Sequence, residues 1–271
     1  MSSENGKVLV ATDQHLGYAN SDVASFENFL DYVSKRSDVG TLAILGDLVD
    51  LWRRDVSGLF LEQRESMDKL VELSSSIKVC FVVGNHDFHL RELEDHGYPF
   101  KFPESMAPIQ VGSTTYDFKH GWEFDLEQQP PIMEALCHNL SDEAGADRTK
   151  VYSAFTGLED KLEDVFKLHG GMDGYIDHLL QGPESRLENI LPTIEKAAYA
   201  SLKPGERLIF GHTHRPFVSA DGRLANAGSW VTDAPVHNTF VELDEDQARL
   251  FVFDVAGITE IIERKPLSEL T

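Results

Sequence analysis

Lys78-Val79-Cys80-Phe81-Val82-Val83-Gly84-Asn85-His86-Asp87 decides the fold. Its first half is an apolar run rich in β-branched residues, which predicts a buried strand, and the strand stops at a glycine. An amide, an imidazole and a carboxylate follow at once. In open α/β sheets, chemistry collects where strands end at their carboxyl edge. Three other stretches repeat the plan. Val8-Leu9-Val10-Ala11-Thr12 leads into Asp13-Gln14-His15, and Leu42-Ala43-Ile44-Leu45 into Gly46-Asp47-Leu48-Val49-Asp50. Leu208-Ile209-Phe210 leads into Gly211-His212-Thr213-His214. Core packing alone does not explain four apolar strands that each end in oxygen and nitrogen donors.

Working outward, residues 7–100 alternate strand and helix patterns, which favours βαβ units and a parallel sheet. Val23, Phe26, Phe29, Leu30 and Val33 fall at helical spacing, with Ser21 or Asp22 as the cap. Leu59 to Leu73 also reads as helix. From Ile109 to His120 the period shortens to two, as in half-buried antiparallel strands. Residues 126–204 carry helical stripes: Leu158, Leu162, Val165 and Phe166; Ile176, Leu179 and Leu180; Leu187, Ile190, Leu191, Ile194 and Ala198. Pro192 predicts a kink or break in the last of these. We read 126–204 as a helical insertion, with helices flanking the core sheet as the alternative. Strands return at 207–212, 223–227, 239–243 and 248–254, with a polar hairpin turn at Leu243–Ala248. Residues after Val255 either finish a strand or trail over the surface.

The chain has 271 residues, 41% of them hydrophobic, enough for a buried core. This length allows one large domain, or a core of 1–125 and 205–271 interrupted by 126–204. Two cysteines make no disulfide framework, no apolar run reaches membrane-spanning length, and the first residues lack the regions of a signal peptide. The expectation is a cytoplasmic protein. Its formal charge of −22 disfavours stable nucleic-acid binding at low salt. An acidic surface is also a halophile device, so a high-salt cytoplasm is favoured over an ordinary acidic protein.

The strand-end donors are Asp13, His15, Asp47, Asn85, His120, His212 and His214. Carboxylate and amide oxygens mixed with imidazoles suit Mn²⁺, Fe²⁺ or Zn²⁺, and the lack of thiolates argues against a structural zinc site. Seven donors exceed what one ion with open positions needs. They suit two ions bridged by Asp47, an arrangement that acidifies a shared water and clamps both reacting oxygens of a displacement at phosphorus.

Asp13-x-His15, Gly46-Asp47-x-x-Asp50, Gly84-Asn85-His86-Asp87, His120-Gly121 and Gly211-His212-x-His214, in this order, resemble the five motifs of calcineurin-like metallophosphoesterases. Each motif is weak alone; five in order, each after a predicted strand, are specific. The resemblance implies an α/β/β/α sandwich of two mixed sheets flanked by helices, the helical insertion lying between the fourth and fifth motifs. It implies one metal on Asp13, His15, Asp47 and His214, and a second on Asp47, Asn85, His120 and His212. Mn²⁺ is the first choice, with Fe²⁺, Zn²⁺ or Ni²⁺ compatible. His86 would face the substrate phosphate with Asp87 orienting its ring, and Asp50 would stand behind a metal-bound histidine. The activity implied is hydrolysis of a phosphomonoester, phosphodiester or pyrophosphate by metal-bridged hydroxide, without a phosphoenzyme.

Two stretches, His120-Gly121-Trp122-Glu123-Phe124-Asp125 and Gly211-His212-Thr213-His214-Arg215-Pro216, are similar to the UDP-diacylglucosamine pyrophosphohydrolase branch. That likeness implies a nucleotide-type and potentially lipid-linked substrate. His86, where that branch commonly has arginine, and Trp122, where it has an acid, are departures. Asp13-Gln14-His15-Leu16-Gly17-Tyr18 is similar to the family's double-strand-break repair nuclease, the rival enzymatic reading. A non-catalytic scaffold is the rival from another class. Arg53, Arg54 and Arg215 are candidates to hold substrate, with ion pairing to the many carboxylates as the alternative. Trp52, Trp122 and Trp230 lie near motif ends, and packing is expected for at least two of them.

Overall fold

The computed structural model describes residues 6–95, 99–125, 130, 132–133, 166–167, 170–180, 183–244 and 247–271. Two mixed sheets stack face to face. The first contains β1 (Lys7–Ala11), β2 (Val39–Leu45), β3 (Lys78–Val82), β9 (Thr239–Asp244), β10 (Gln247–Asp254) and β11 (Gly257–Ile261), in the order β11-β10-β9-β1-β2-β3. Its β1, β2 and β3 run parallel, while β9, β10 and β11 are antiparallel to their neighbours. The second contains β4 (Ile109–Val111), β5 (Thr114–Phe118), β6 (Arg207–Phe210), β7 (Phe217–Val218) and β8 (Leu224–Asn226), in the order β4-β5-β6-β8-β7, with β5, β6 and β8 parallel.

The period of two along each strand sorts side chains between layers. On β1, Val8 and Val10 face the second sheet and pack with Tyr116, Phe118, Ile209 and Ala225, while Leu9 and Ala11 face the outer helices. Those helices are α1 (Val23–Ser34), α2 (Val56–Glu62) and α3 (Arg64–Leu73). Asp22 caps α1, its carboxylate accepting from Ser25 N at 3.1 Å. Such a cap contributes about 1 kcal/mol. Phe26, Phe29, Leu30 and Val33 then bury the inner face of α1 against Trp230, Phe240 and Phe253. Each fully buried side chain of this kind stabilises by roughly 1.5–3 kcal/mol.

The expected α/β/β/α layering is therefore observed, with differences in detail. The helix read over Leu59–Leu73 starts earlier and breaks at Gln63, which leaves helical angles at φ −97° and ψ 21°. Helices α4 (Met172–Leu180) and α5 (Pro183–Ala200) fall within 126–204, and α5 runs through Pro192 without ending. Burial of Leu191, Ile194 and Ala198 around the proline offsets a cost of about 3 kcal/mol. Ala198 joins Leu208, Phe210, Phe217, Leu224 and Leu270 on the outer face of the second sheet. The stripe Leu158–Val165, and most of 126–170, lie outside the described residues. Residues after Val255 form the edge strand β11, and the two-residue β7 was not read from the sequence. Among the described residues no helix is long and apolar enough to cross a membrane.

Candidate metal centre

The carboxyl ends of β1, β2, β3, β5 and β6 open on one crevice, and the loop after each carries one of the five motifs. The three loops of the first sheet are joined through their backbones. Asp13 N bonds Gly46 O at 3.1 Å, His15 N bonds Asp47 O at 2.8 Å, and Leu51 N bonds His86 O at 3.1 Å. Asp87 adds a clamp: one oxygen accepts from Gly84 N at 2.6 Å and the other from Leu48 N at 2.7 Å.

Backbone strain is concentrated here. Among the described residues, positive φ outside glycine occurs at Asp13, His15, Asp47, His212, His214 and Asn238. All but Asn238 are candidate ligands. Left-handed backbone is uncommon for residues with a Cβ and costs of order 1–3 kcal/mol, persisting where the surroundings fix it. Glycine supplies close approach beside them. A Cβ on Gly84 would collide with the Asp47 carboxylate, and one on Gly211 with Thr12 and Asp13.

The donors form two groups. In the first, His214 Nε2 lies 3.1 Å from Asp13 Oδ1 and 3.2 Å from His15 Nε2, which is 3.5 Å from Asp47 Oδ2. In the second, Asn85 Oδ1 lies 3.1 Å from His120 Nε2 and 3.0 Å from His212 Nδ1. His120 Nε2 is also 3.4 Å from Asp47 Oδ2, so one oxygen of Asp47 faces both groups. The other oxygen accepts from His86 N at 2.8 Å. Bonds of about 2.1 Å to one ion set neighbouring ligands about 3.0 Å apart in an octahedron and about 3.4 Å in a tetrahedron. The observed spacings fit a cation in each group. Among the described residues the buried Asp13 Oδ1 finds no hydrogen-bond partner, as an oxygen reserved for a metal would not.

Oxygen atoms hold the histidines from behind. His15 Nδ1 is 3.0 Å from Asp50 Oδ2, and His120 Nδ1 is 2.6 Å from Leu45 O. Asp50 also bonds Arg53 and lies 3.1 Å from His86 Nδ1. The contact expected of Asp87 toward the His86 ring is thus made by Asp50, while the carboxylate of Asp87 clamps backbone. Electrostatics follow this clustering. Burial opposes protonation of His15, but the Asp13 carboxylate 3.8 Å from Nε2, the Asp50 carboxylate against Nδ1 and the charge of Asp47 outweigh it, raising the pKa to about 10. His120 is likewise raised to about 10, against burial, by Asp47 and Asp13. Burial lowers His86 despite Asp50 and Asp47. Burial, then the charge of Asp47, raises Asp87 to about 7.

Of the three candidate arginines, Arg53 is at the site. Its guanidinium lies 4.5 Å from the Tyr18 ring centre and 3.4 Å from His86 Nδ1, with its side chain 41% exposed. Arg54 pairs with Glu62 and Asp55, and Arg215 lies 3.7 Å from the buried Glu195. Trp52 stacks on His86 with ring centres 3.9 Å apart. Trp230 is buried against Phe26 and Phe29, and Trp122 packs edge-on to Phe88. Two further positions, each within a stretch that stood out in the sequence, make contacts that the sequence did not assign. Asn226 donates to Gly211 O at 2.7 Å and to Thr213 Oγ1 at 3.0 Å, bracing the fifth motif from the end of β8. Asp125 lies 3.2 Å from His212 Nε2. Neither offers a sequence signal beyond sitting just after a strand or motif.

A sequence model described as calcineurin-like phosphoesterase matches residues 6–216. The chain is 23% identical over 243 residues to a UDP-2,3-diacylglucosamine hydrolase of Shewanella baltica strain OS155, covering 87% of this chain and 94% of that protein. The same-named protein of strain OS185 is 22% identical over 240 residues, with 87% and 94% covered. Among solved structures, a dimetal phosphatase from Danio rerio aligns with a TM-score of 0.44 at 14% identity, covering 95% of this chain and 98% of that one. A nuclease from Pseudomonas putida aligns at a TM-score of 0.38 and 15% identity, covering 94% and 87%.

Proposed function

The chain belongs to the calcineurin-like phosphoesterase family, and from that premise we propose that it is a two-metal hydrolase acting on a phosphodiester or pyrophosphate bond of a nucleotide-type substrate. The observation that carries this reading is the position of Asp47 Oδ2, within 3.5 Å of His15 and 3.4 Å of His120, between the two donor groups. Asp13, His15, Asp47 and His214 would hold one cation, and Asp47, Asn85, His120 and His212 the other. When bound, such a pair acidifies a water and neutralises charge building on the phosphate oxygens.

The chain's own residues do the rest. His86 donates from Nδ1 to Asp50, which leaves Nε2 to meet the substrate. Buried and held neutral before substrate arrives, this ring gains a proton more readily beside an anionic phosphoryl group. Its Nε2–H then stabilises the developing charge or passes a proton to the leaving oxygen. Trp52, stacked on the ring, fixes its plane. Arg53 extends from Asp50 toward solvent and suits a second phosphate or a carboxylate of the substrate.

The names of the Shewanella relatives support a nucleotide-sugar pyrophosphate as the first substrate class to try. The charge of −22 supports a small substrate over duplex nucleic acid, and work in a high-salt cytoplasm. The test is a panel of phosphomonoesters, cyclic and linear diesters, nucleotide-sugar pyrophosphates and single-stranded DNA, assayed with Mn²⁺ at high and low salt. The expected result is turnover of diester or pyrophosphate that Asp47→Asn abolishes. Hydrolysis indifferent to Asp47→Asn and to chelation would overturn the reading in favour of a scaffold.

A further inference from the structure

We propose that Asp125 is a positioning residue of the second donor group: its carboxylate holds the Nε2–H of His212, so that Nδ1 presents its lone pair beside Asn85. The proposal rests on the two-cation reading. Nδ1 of His212 lies 3.0 Å from Asn85 Oδ1, and Nε2 lies 3.2 Å from Asp125 Oδ2. A neutral imidazole has one ring proton. A cation seated beside Asn85 leaves Nε2 as the only place for it, and a carboxylate there makes the opposite nitrogen a stronger donor.

The local fold delivers Asp125 to this position. After His120 the chain makes a single 3-10 turn over Trp122–Phe124, in which Phe124 N bonds Gly121 O at 3.0 Å and Asp125 N bonds Trp122 O at 2.9 Å. Gly121 has φ 130°, and a Cβ there would come within 2.8 Å of His212 Cβ, so glycine allows the turn to lie against the fifth motif. Phe124 packs edge-on to Phe210, with ring centres 6.4 Å apart, tying the turn to the strand that delivers His212. The Asp125 carboxylate is thereby carried back onto the ring, with the residue 7% exposed. Burying a carboxylate is costly without a hydrogen-bonded partner, and His212 supplies one. The arrangement parallels Asp50 behind His15 and Leu45 O behind His120. Asp125 completes it for His212.

The test compares Mn²⁺ titrations of the full chain, by calorimetry, for wild type, Asp125→Asn and Asp125→Glu, with ¹⁵N spectra of the histidine rings in Zn²⁺-loaded wild type. Two ions are expected to bind wild type. In Asp125→Asn one site weakens about 10–100-fold while the other keeps its affinity, and Asp125→Glu recovers part of the loss. Metal-free Asp125→Asn melts within about 2 °C of wild type. The ring proton of His212 resides on Nε2 in the loaded protein. Two wild-type sites that Asp125→Asn leaves unchanged, or a proton found on Nδ1, overturn the role of Asp125. Equal weakening of both sites together with a lowered metal-free melting temperature does so too, because that marks a structural residue. Fewer than two ions on wild type overturns the two-cation reading itself.

Discussion

The two sheets contribute to the crevice in different ways. Loops of the first sheet supply the candidate ligands Asp13, His15, Asp47 and Asn85, together with Asp50, His86 and Asp87, and they are fixed to one another mainly by backbone bonds such as His15 N to Asp47 O. Loops of the second sheet supply His120, His212 and His214. These are joined by the backbone bonds Gly211 N to His120 O at 2.7 Å and Lys119 N to Ile209 O at 3.2 Å, and are further braced by the side chains of Asn226, Asp125 and Asp13. On the two-cation reading, the acidic half would draw cations in and the imidazole half would shape their coordination. The acidic half should therefore tolerate loss of a brace better than the imidazole half, whose ring orientations depend on single side chains.

The sharpest way to break the comparison is at the atom both halves share. Asp47→Ala should lower turnover by more than about 10²-fold, beyond the usual ceiling for residues that only support a ligand, and should reduce Mn²⁺ binding in both groups. Loss confined to one group, measured by titration, would show that the halves do not meet at Asp47. A kinetic effect of another kind, without loss of metal, is expected at His86. His86→Ala should cut kcat by about 10²–10⁴-fold while Mn²⁺ affinity stays near wild type. Equal losses of both would place His86 among the ligands.

The sequence made the five motifs legible because four follow apolar runs and the other an alternating strand, so strand prediction and chemistry point to the same positions. Asp13, Asp47, Asn85, His212 and His214 come together as expected. Asp125 and Asn226 were not legible, since their partners lie 87 and 15 residues away and depend on how the strands of the second sheet align. The same limit hid the Trp52–His86 stack and the handover of the His86 contact from Asp87 to Asp50. Local pattern also misread Gln63 as mid-helix, and of the kink or break expected at Pro192 the break does not occur, because tertiary burial of Leu59, Leu191 and Ile194 decides those backbones.

A gentler probe, which reads one ring from each half, is pH. With folded pKa values near 10, against an ordinary 6.5, His15 and His120 add stability to the metal-free protein that is complete below about pH 6.5. That stability fades as pH rises through 10. The metal-free melting temperature should therefore fall between pH 7 and pH 10, while Mn²⁺ affinity rises over the same range as cations displace those protons. A flat metal-free profile would contradict the clustering of charge around both rings. The smallest expected effect concerns the whole surface. With a charge of −22, the melting temperature should climb by a few degrees from low to molar KCl as self-repulsion is screened, and no change would remove the argument for a high-salt setting.

The most direct measurement is electron paramagnetic resonance of the chain loaded with Mn²⁺ and counted by elemental analysis. The account predicts two ions per chain with the exchange-coupled spectrum of a carboxylate-bridged pair. One ion per chain with the six-line spectrum of isolated Mn²⁺ would contradict it.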